Sequence, residues 1–251
     1  MINISEQFKE SKLIIPYIMV GDGGLEQSST LLELYVRLGC KVIEIGVPFS
    51  DPAADGETIQ LAAIRALKEN VTLTDCLTFI KDGKKRHPDI SFILMTYLNP
   101  ILHYGIDNFF KESLADGIIV PDMPLEEYET LYQQAKNSNT AIIPLITIDT
   151  DLSRMKNILE KSDGFVYVIT LKGITGTQDA GVTQSADTIK KLRDLTNLPL
   201  VAGFGIKTSQ QINSFHNTFD GVVIASQLIK HIQNEEYDEL KRLLNIKKTV
   251  I

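Results

Sequence analysis

The sequence contains no tryptophan, so no indole side chain is available as an interface anchor or a stacking platform. Sulfur is scarce as well. Cys40 and Cys76 lie amid apolar or helical sequence without metal-ligand spacing, which reads as two buried thiols in a reducing compartment rather than a disulfide framework. The four histidines, His87, His103, His216 and His231, are scattered singly and offer no metal cluster. No apolar run near the start approaches the roughly 20 residues that span a bilayer. The longest there, "LIIPYIMV", also lacks a basic lead-in and a cleavage site. An excess of positive charge is missing too: the net charge is −7 and the pI about 5.2, which argues against nucleic acid or an anionic membrane as the main partner. The one dense basic run, "KDGKKRHP" at 81–88, reads as a helix end, where cations suit the dipole and Pro88 stops continuation. A cytoplasmic protein is expected.

What is present is a repeat of alternation. A hydrophobic share of 43% with 23% charged residues supports a sizeable core under a wet surface. Eight short apolar, β-branched runs recur: "LIIPYIMV" from Leu13, "KVIEIG" from Lys41, "SFILMTY" from Ser91, "GIIV" from Gly117, "AIIPLIT" from Ala141, "GFVYVIT" from Gly164, "PLVAGF" from Pro199 and "GVVIAS" from Gly221. Between them lie amphipathic patterns such as "ETIQLAAIRALKEN", most opening near Ser, Thr, Asp or Asn and closing on Gly, Asn or a basic residue. Apolar strands joined by crossover helices imply a parallel sheet covered on both faces. Eight units in 251 residues, about 31 residues each, predict a closed (β/α)8 TIM barrel, a single α/β domain over 1–251. A doubly wound open sheet is the alternative. "ISEQFKES" predicts an extra N-terminal helix under the barrel, and "EEYDELKRLLNI" an amphipathic final helix.

In such barrels chemistry gathers at the C-terminal ends of the strands and in the loops that follow. Glu44 sits in the middle of the second predicted strand, between Ile43 and Ile45, and alternation turns it to the face opposite those two. A buried ion pair would be the structural explanation, but no predicted strand carries a basic residue in its interior. A desolvated carboxyl with a raised pKa suits acid–base work instead. In the following loop, "PFSDPAADG", Asp51 before Pro52 reads as an ordinary loop residue, while Asp55 is equally readable as a functional carboxylate or as the cap of a helix opening at Glu57. Glycine turns follow the last three predicted strands: "LKGITGTQDAG" has the look of a lid, "AGFGI" precedes Lys207, and "IASQLI" opens a helix at Ser226. Small residues before a helix N-terminus suit a phosphate, and the loops after the seventh and eighth strands are where this fold commonly binds one.

The motif "EIGVPFSDPAADG", with "YVITLKGITG", "VAGFGI", "MTYLNPI" and "PDMPLEE", resembles the tryptophan synthase α-subunit family over nearly the whole chain. That resemblance implies a lyase that splits indole-3-glycerol phosphate into indole and glyceraldehyde 3-phosphate without metal or organic cofactor. It implies Glu44 as the principal acid–base group and Asp55 as the second carboxylate. Backbone N–H groups at Gly176, Gly205, Ala225 and Ser226 would hold the phosphate, and Tyr17, Ile59, Tyr97, Tyr167 and Phe204 would line the indole pocket. It further implies an α2β2 heterotetramer, with pyridoxal phosphate (PLP) on the tryptophan synthase beta subunit. Three positions depart from the family pattern: Leu171 stands where many relatives have Arg, Ala225 replaces a usual Gly, and "GDGG" at 21–24 replaces the more familiar "GDPG". Two rivals stay open: a non-catalytic regulatory subunit that activates a PLP-dependent partner, and another phosphate-binding barrel enzyme of the same pathway.

Overall fold

The computed structural model describes residues 3–123, 125–169, 179–203 and 205–244, the side chains of 125–128 and 179–185 aside. Nine strand segments form one wholly parallel sheet: β1 (Leu13–Met19), β2 (Val42–Gly46), β3 (Ser91–Met95), β4 (Gly117–Ile119), β5 (Ala141–Ile142), β6 (Leu145–Thr147), β7 (Val166–Ile169), β8 (Leu200–Gly203) and β9 (Gly221–Ile224). Their order is β5-β4-β3-β2-β1-β9-β8-β7-β6. The two ends of that series are consecutive in the chain. Ile143 N–H still donates to Ile118 O beside β4, at 3.0 Å, and the next carbonyl, Pro144 O, accepts from Tyr167 N–H of β7, at 2.9 Å. The predicted fifth strand is therefore one strand bent at Pro144, whose ring nitrogen has no proton for the ladder, and its two halves close the eight-stranded barrel.

The two faces of each strand explain the packing. Inward residues Leu13, Ile15, Val42, Ile93, Ile119, Ile143, Phe165, Val201 and Val223 form one buried cluster inside the barrel. Outward residues such as Ile18, Ile43, Ile45, Phe92, Leu94 and Ile118 belong to a larger cluster under the helices. Period-two alternation buries both sets because both faces are covered. The predicted N-terminal helix is a 3₁₀ turn, Ile4–Phe8, capped by the Asn3 side chain, which accepts from Ser5 N–H. Its Ile4 is buried in the interior cluster, and Phe8 meets the Phe165 ring at 5.8 Å, so it plugs the barrel bottom.

Outside the barrel lie α1 (Leu25–Arg37), α2 (Glu57–Lys68), α3 (Leu73–Arg86), α4 (Leu98–Tyr104), α5 (Ile106–Glu112), α6 (Leu125–Asn137), α7 (Leu152–Leu159), α8 (Asp179–Leu195), α9 (Ser209–His216), α10 (Ser226–Gln233) and α11 (Tyr237–Leu244). Capping boxes start α3 (Thr72 with Asp75) and α9 (Thr208 with Gln211). The basic run ends α3 as expected: Lys84 pairs with Asp116, and Arg86 and His87 both meet Glu33. Helix α4 was not visible in the pattern, because Pro100 reads as a breaker. It sits in the first turn, where a backbone N–H has no intrahelical acceptor to lose. Cys40 and Cys76 are buried free thiols, and burial pushes Cys40 up to about 12, leaving it unreactive. Among the described residues no helix is long and apolar enough to cross a membrane.

Candidate active site

All five residues of β2 are buried, and Glu44 is the charged one among them. In register it lies between Tyr17 of β1 and Ile93 of β3, both inward-facing. The carboxyl points to the mouth of the barrel, and its Oε2 finds no hydrogen-bond partner among the described residues. Burial, and then the charge of Asp55, raise the Glu44 pKa to about 8. A carboxyl so placed is protonated at neutral pH, which is what an acid catalyst requires.

Asp55 lies half-buried in the loop between β2 and α2. The cap reading fails here: the N-cap of α2 is Gly56, with no side-chain bond to the helix. Instead Asp55 Oδ2 accepts from the Tyr97 hydroxyl at 3.0 Å. Burial raises its pKa and that hydrogen bond lowers it. Asp51, by contrast, is exposed and accepts from the neighbouring Ser50 hydroxyl, as an ordinary loop residue would.

Glu44 and Asp55 line one cavity of about 260 Å³ at the C-terminal end of the barrel. Of the other predicted residues, Tyr17, Ile59, Tyr167, Gly205, Ala225 and Ser226 line it too. Tyr97 does not; it is buried behind Asp55. Gly176, Phe204 and Leu171, with the rest of the glycine-rich lid region at 171–178, lie outside the described residues. Two glycines make room for the tyrosines. A Cβ on Gly46 would fall 1.8 Å from the Tyr17 hydroxyl oxygen, and one on Gly203 would fall 2.0 Å from the Tyr167 ring. Burial, with the two carboxylates nearby, raises both tyrosine pKa values well above normal, so both phenols stay neutral.

The opposite wall carries the small residues. Gly205 takes φ +78 with open space where a side chain would be. Ala225 is the N-cap of α10 and makes no side-chain cap bond, so the first N–H groups of that helix open on the cavity uncapped. Lys207 and Lys230 stand on the same wall, both exposed, and neither enters an ion pair among the described residues. Sequence reasoning missed Lys230. The signal was its spacing: four residues after Ser226 it shares that helix face, and helical side chains lean toward the N-terminus. Met95 and Val223, inward-facing strand residues, were also missed as lining.

A cavity with acids on one wall and a helix N-terminus with lysines on the other suits a substrate that is anionic at one end. Comparison with known proteins gives that shape a family. The tryptophan synthase alpha chain family model matches residues 4–250. The chain belongs to that family. It is 40% identical over 240 residues to a tryptophan synthase alpha chain of Bacillus cereus (strain ATCC 10987 / NRS 248), covering 94% of this chain and 93% of that one. Its fold is similar to the tryptophan synthase subunit alpha structure from Campylobacter jejuni, with TM-score 0.86, 28% identity and 98% of both chains covered. A solved structure from Aquifex aeolicus VF5 superposes with TM-score 0.87 at 33% identity, over 98% of this chain and 97% of that one. As a member of that family, the protein is a lyase of tryptophan biosynthesis that cleaves indole-3-glycerol phosphate.

Against the tryptophan synthase alpha chain pattern, the "GDGG" departure has a backbone cause. Gly23 takes φ +80, which the proline ring of the usual pattern forbids, so a proline could not take its place in this turn. The preceding Gly21 is equally constrained: at φ +87, any Cβ would meet Val71 Cγ2 at 2.4 Å. Between them, Asp22 accepts a bidentate pair from Arg65 of α2, at 2.6 and 2.8 Å, tying the β1–α1 turn to the helix that carries Ile59.

Proposed function

We propose that Glu44 and Asp55 carry the cleavage. The observation that carries this reading is a buried Glu44 carboxyl, its Oε2 without a hydrogen-bond partner among the described residues, facing the cavity it shares with Asp55. Glu44, protonated at the start, donates its proton to C3 of the indole ring, which turns the ring into an electrophilic indolenine. Positive charge develops at the indole nitrogen, and the Asp55 carboxylate accepts the N–H there. Glu44, now ionised, removes the proton of the chain hydroxyl next to C3. The carbon–carbon bond then breaks, its electron pair returns to the ring, and glyceraldehyde 3-phosphate leaves as the aldehyde. One carboxyl thus ends as it began.

The ring lies among Tyr17, Ile59 and Tyr167, with Phe204 completing the apolar set and Tyr97 standing behind Asp55. The phosphate lies on the N–H groups of Gly205, Ala225, Ser226 and Gly176, and Lys207 and Lys230 add the positive charge that those dipoles only approximate. The Ala225 β-carbon crowds that site where the family usually has glycine. We further read the chain as one barrel domain, cytoplasmic, needing no metal or organic cofactor of its own. Membership of an alpha chain family implies a beta-subunit partner, and we propose an α2β2 heterotetramer whose beta subunit holds pyridoxal phosphate. The loops expected after β2, β3 and β7 and the "PDMPLEE" segment face that partner in this reading.

The experiment is indole release from indole-3-glycerol phosphate by the purified chain, alone and with its beta subunit. Slow release that rises strongly with the partner is expected. A folded chain that releases no indole in either condition defeats the assignment of the two carboxylates.

A further inference from the structure

The loop from Phe49 to Gly56 carries Asp55, yet Ser50, Asp51, Ala53, Ala54 and Gly56 are exposed. One buried residue outside the loop fastens it at three points. Tyr97, 3% exposed, is the N-cap residue of α4 at the end of β3. Its ring stacks on Phe49, with centroids 5.1 Å apart and planes at 27°. Its hydroxyl accepts from Ala54 N–H at 3.1 Å and donates to Asp55 Oδ2 at 3.0 Å.

The direction of those two bonds follows from chemistry. A backbone N–H can only donate, so the Ala54 contact takes a lone pair of the phenol oxygen. The single phenol proton is then left for Asp55. We propose that Tyr97 is a positioning residue: anchored by Phe49 and oriented by Ala54, its hydroxyl presents its proton to Asp55 and keeps that carboxyl the acceptor of the catalytic pair. This rests on the reading of Asp55 as the second carboxylate.

The consequence is a division of labour between two nearby acids. The groups that face Asp55 electrostatically are Glu44 from β2, Tyr17 from β1 and Tyr167 from β7. Glu57 of α2 lines the same cavity, as do Lys207 and Lys230 on the far wall, and Asp122 lies behind Tyr97. Of these only the two lysines favour an ionised Asp55, and both are exposed to screening solvent. Tyr97 supplies the hydrogen bond at contact distance. It opposes the burial that raises Asp55, whereas Glu44 Oε2 has no such donor among the described residues and burial keeps that carboxyl protonated. Environments that push two acids apart are what assign acid and base roles.

The test is Tyr97→Phe in the full chain, which keeps the ring on Phe49 and removes the hydroxyl. Asp55 is followed by carboxyl ¹³C NMR, with its signal assigned from Asp55→Asn, alongside pH profiles of kcat and KM for indole release. Burial remains and the lowering bond is lost, so the Asp55 pKa and the acid limb of kcat/KM should rise together by about one pH unit. kcat should fall on the order of tenfold with KM within about twofold, because the interaction serves the reacting state. Phe49→Leu, which loosens the ring and leaves the hydroxyl, should lower kcat without moving the acid limb. An Asp55 signal and acid limb unmoved in Tyr97→Phe overturn the proposal, as does an equal shift in Phe49→Leu. A moved Asp55 signal with full cleavage retained in Asp55→Asn upholds the clamp and removes Asp55 from the chemistry.

Discussion

Two carboxylates lie equally deep at opposite ends of this barrel. Glu44 at the mouth and Asp116 at the base are each 2% exposed. Asp116 accepts from Lys84 Nζ at 2.5 Å and from Phe92 N–H at 2.9 Å, stitching α3 and β3 to the start of β4. The same device recurs at the start of β9, where Asp220 accepts from Leu200 N–H and pairs with Arg193 of α8, each at 2.7 Å. Among the described residues Glu44 has neither cation nor donor at Oε2. Equal burial with different partnering separates the two: the paired carboxylate holds elements together, and the one whose Oε2 has no donor among the described residues keeps its proton, as the proposed acid role requires. The lysines follow the same rule, since Lys84 is paired at the base and Lys230 is unpaired at the mouth among the described residues.

The strongest way to break this comparison is to neutralise each carboxyl in turn. Glu44→Gln should lower indole release by on the order of 10³-fold with the fold intact, because an amide fills the same space without a transferable proton. Near-normal turnover would leave Glu44 without its role. Asp116→Ala should do the reverse, costing about 3 kcal/mol of stability by leaving Lys84 unpaired and mostly buried, with kcat per folded molecule unchanged. Urea unfolding and active-site-normalised rates check both halves of that statement.

Titration sharpens the contrast further. Glu44 holds its proton to about pH 8 when folded, against an ordinary value of 4.5. The folded chain therefore binds the extra proton between those limits, and its stability contribution, complete below pH 4.5, is lost as pH rises toward 8. The slope is up to about 1.4 kcal/mol per pH unit. Urea midpoints across that range should fall in the natural chain relative to Glu44→Gln, and parallel profiles would mean that Glu44 is ionised in the fold. The smallest effect is expected at the exposed wall. Lys230→Met should raise KM about threefold with kcat unchanged, and more at low salt, since an exposed cation contributes little through solvent. An unchanged KM would leave the helix N-terminus as the whole phosphate site.

Most of this fold was legible because its signals are local. Runs such as "KVIEIG" and "GVVIAS" declared buried parallel strands through continuous apolarity, and the Ser, Thr, Asp or Asn expected near helix starts stands at Thr72 and Thr208, where the structure adds capping boxes. Two features lay beyond a local reading for one reason. Pro144 bends a strand and Pro100 sits inside a first turn, and in both the missing N–H matters only through what the surrounding chain does with it. At the site, Glu44 stood out as a carboxylate in a strand with no basic strand residue to meet it. Asp55 remained ambiguous until the helix cap proved to be Gly56.

The sequence by itself determined the alternation of strand and helix, the inward face of β2 and hence the direction of Glu44, and the small residues before α10. Each follows from periodicity or backbone freedom, which act over a few residues. Only the tertiary structure decided which groups find partners. Asp116 meets Lys84 32 positions away, Asp55 meets Tyr97 42 positions away, and Glu44 meets no donor at Oε2 among the described residues. Partnering sets the pKa of a buried acid, and closing the barrel is what brings distant residues within hydrogen-bond reach or leaves a carboxyl alone.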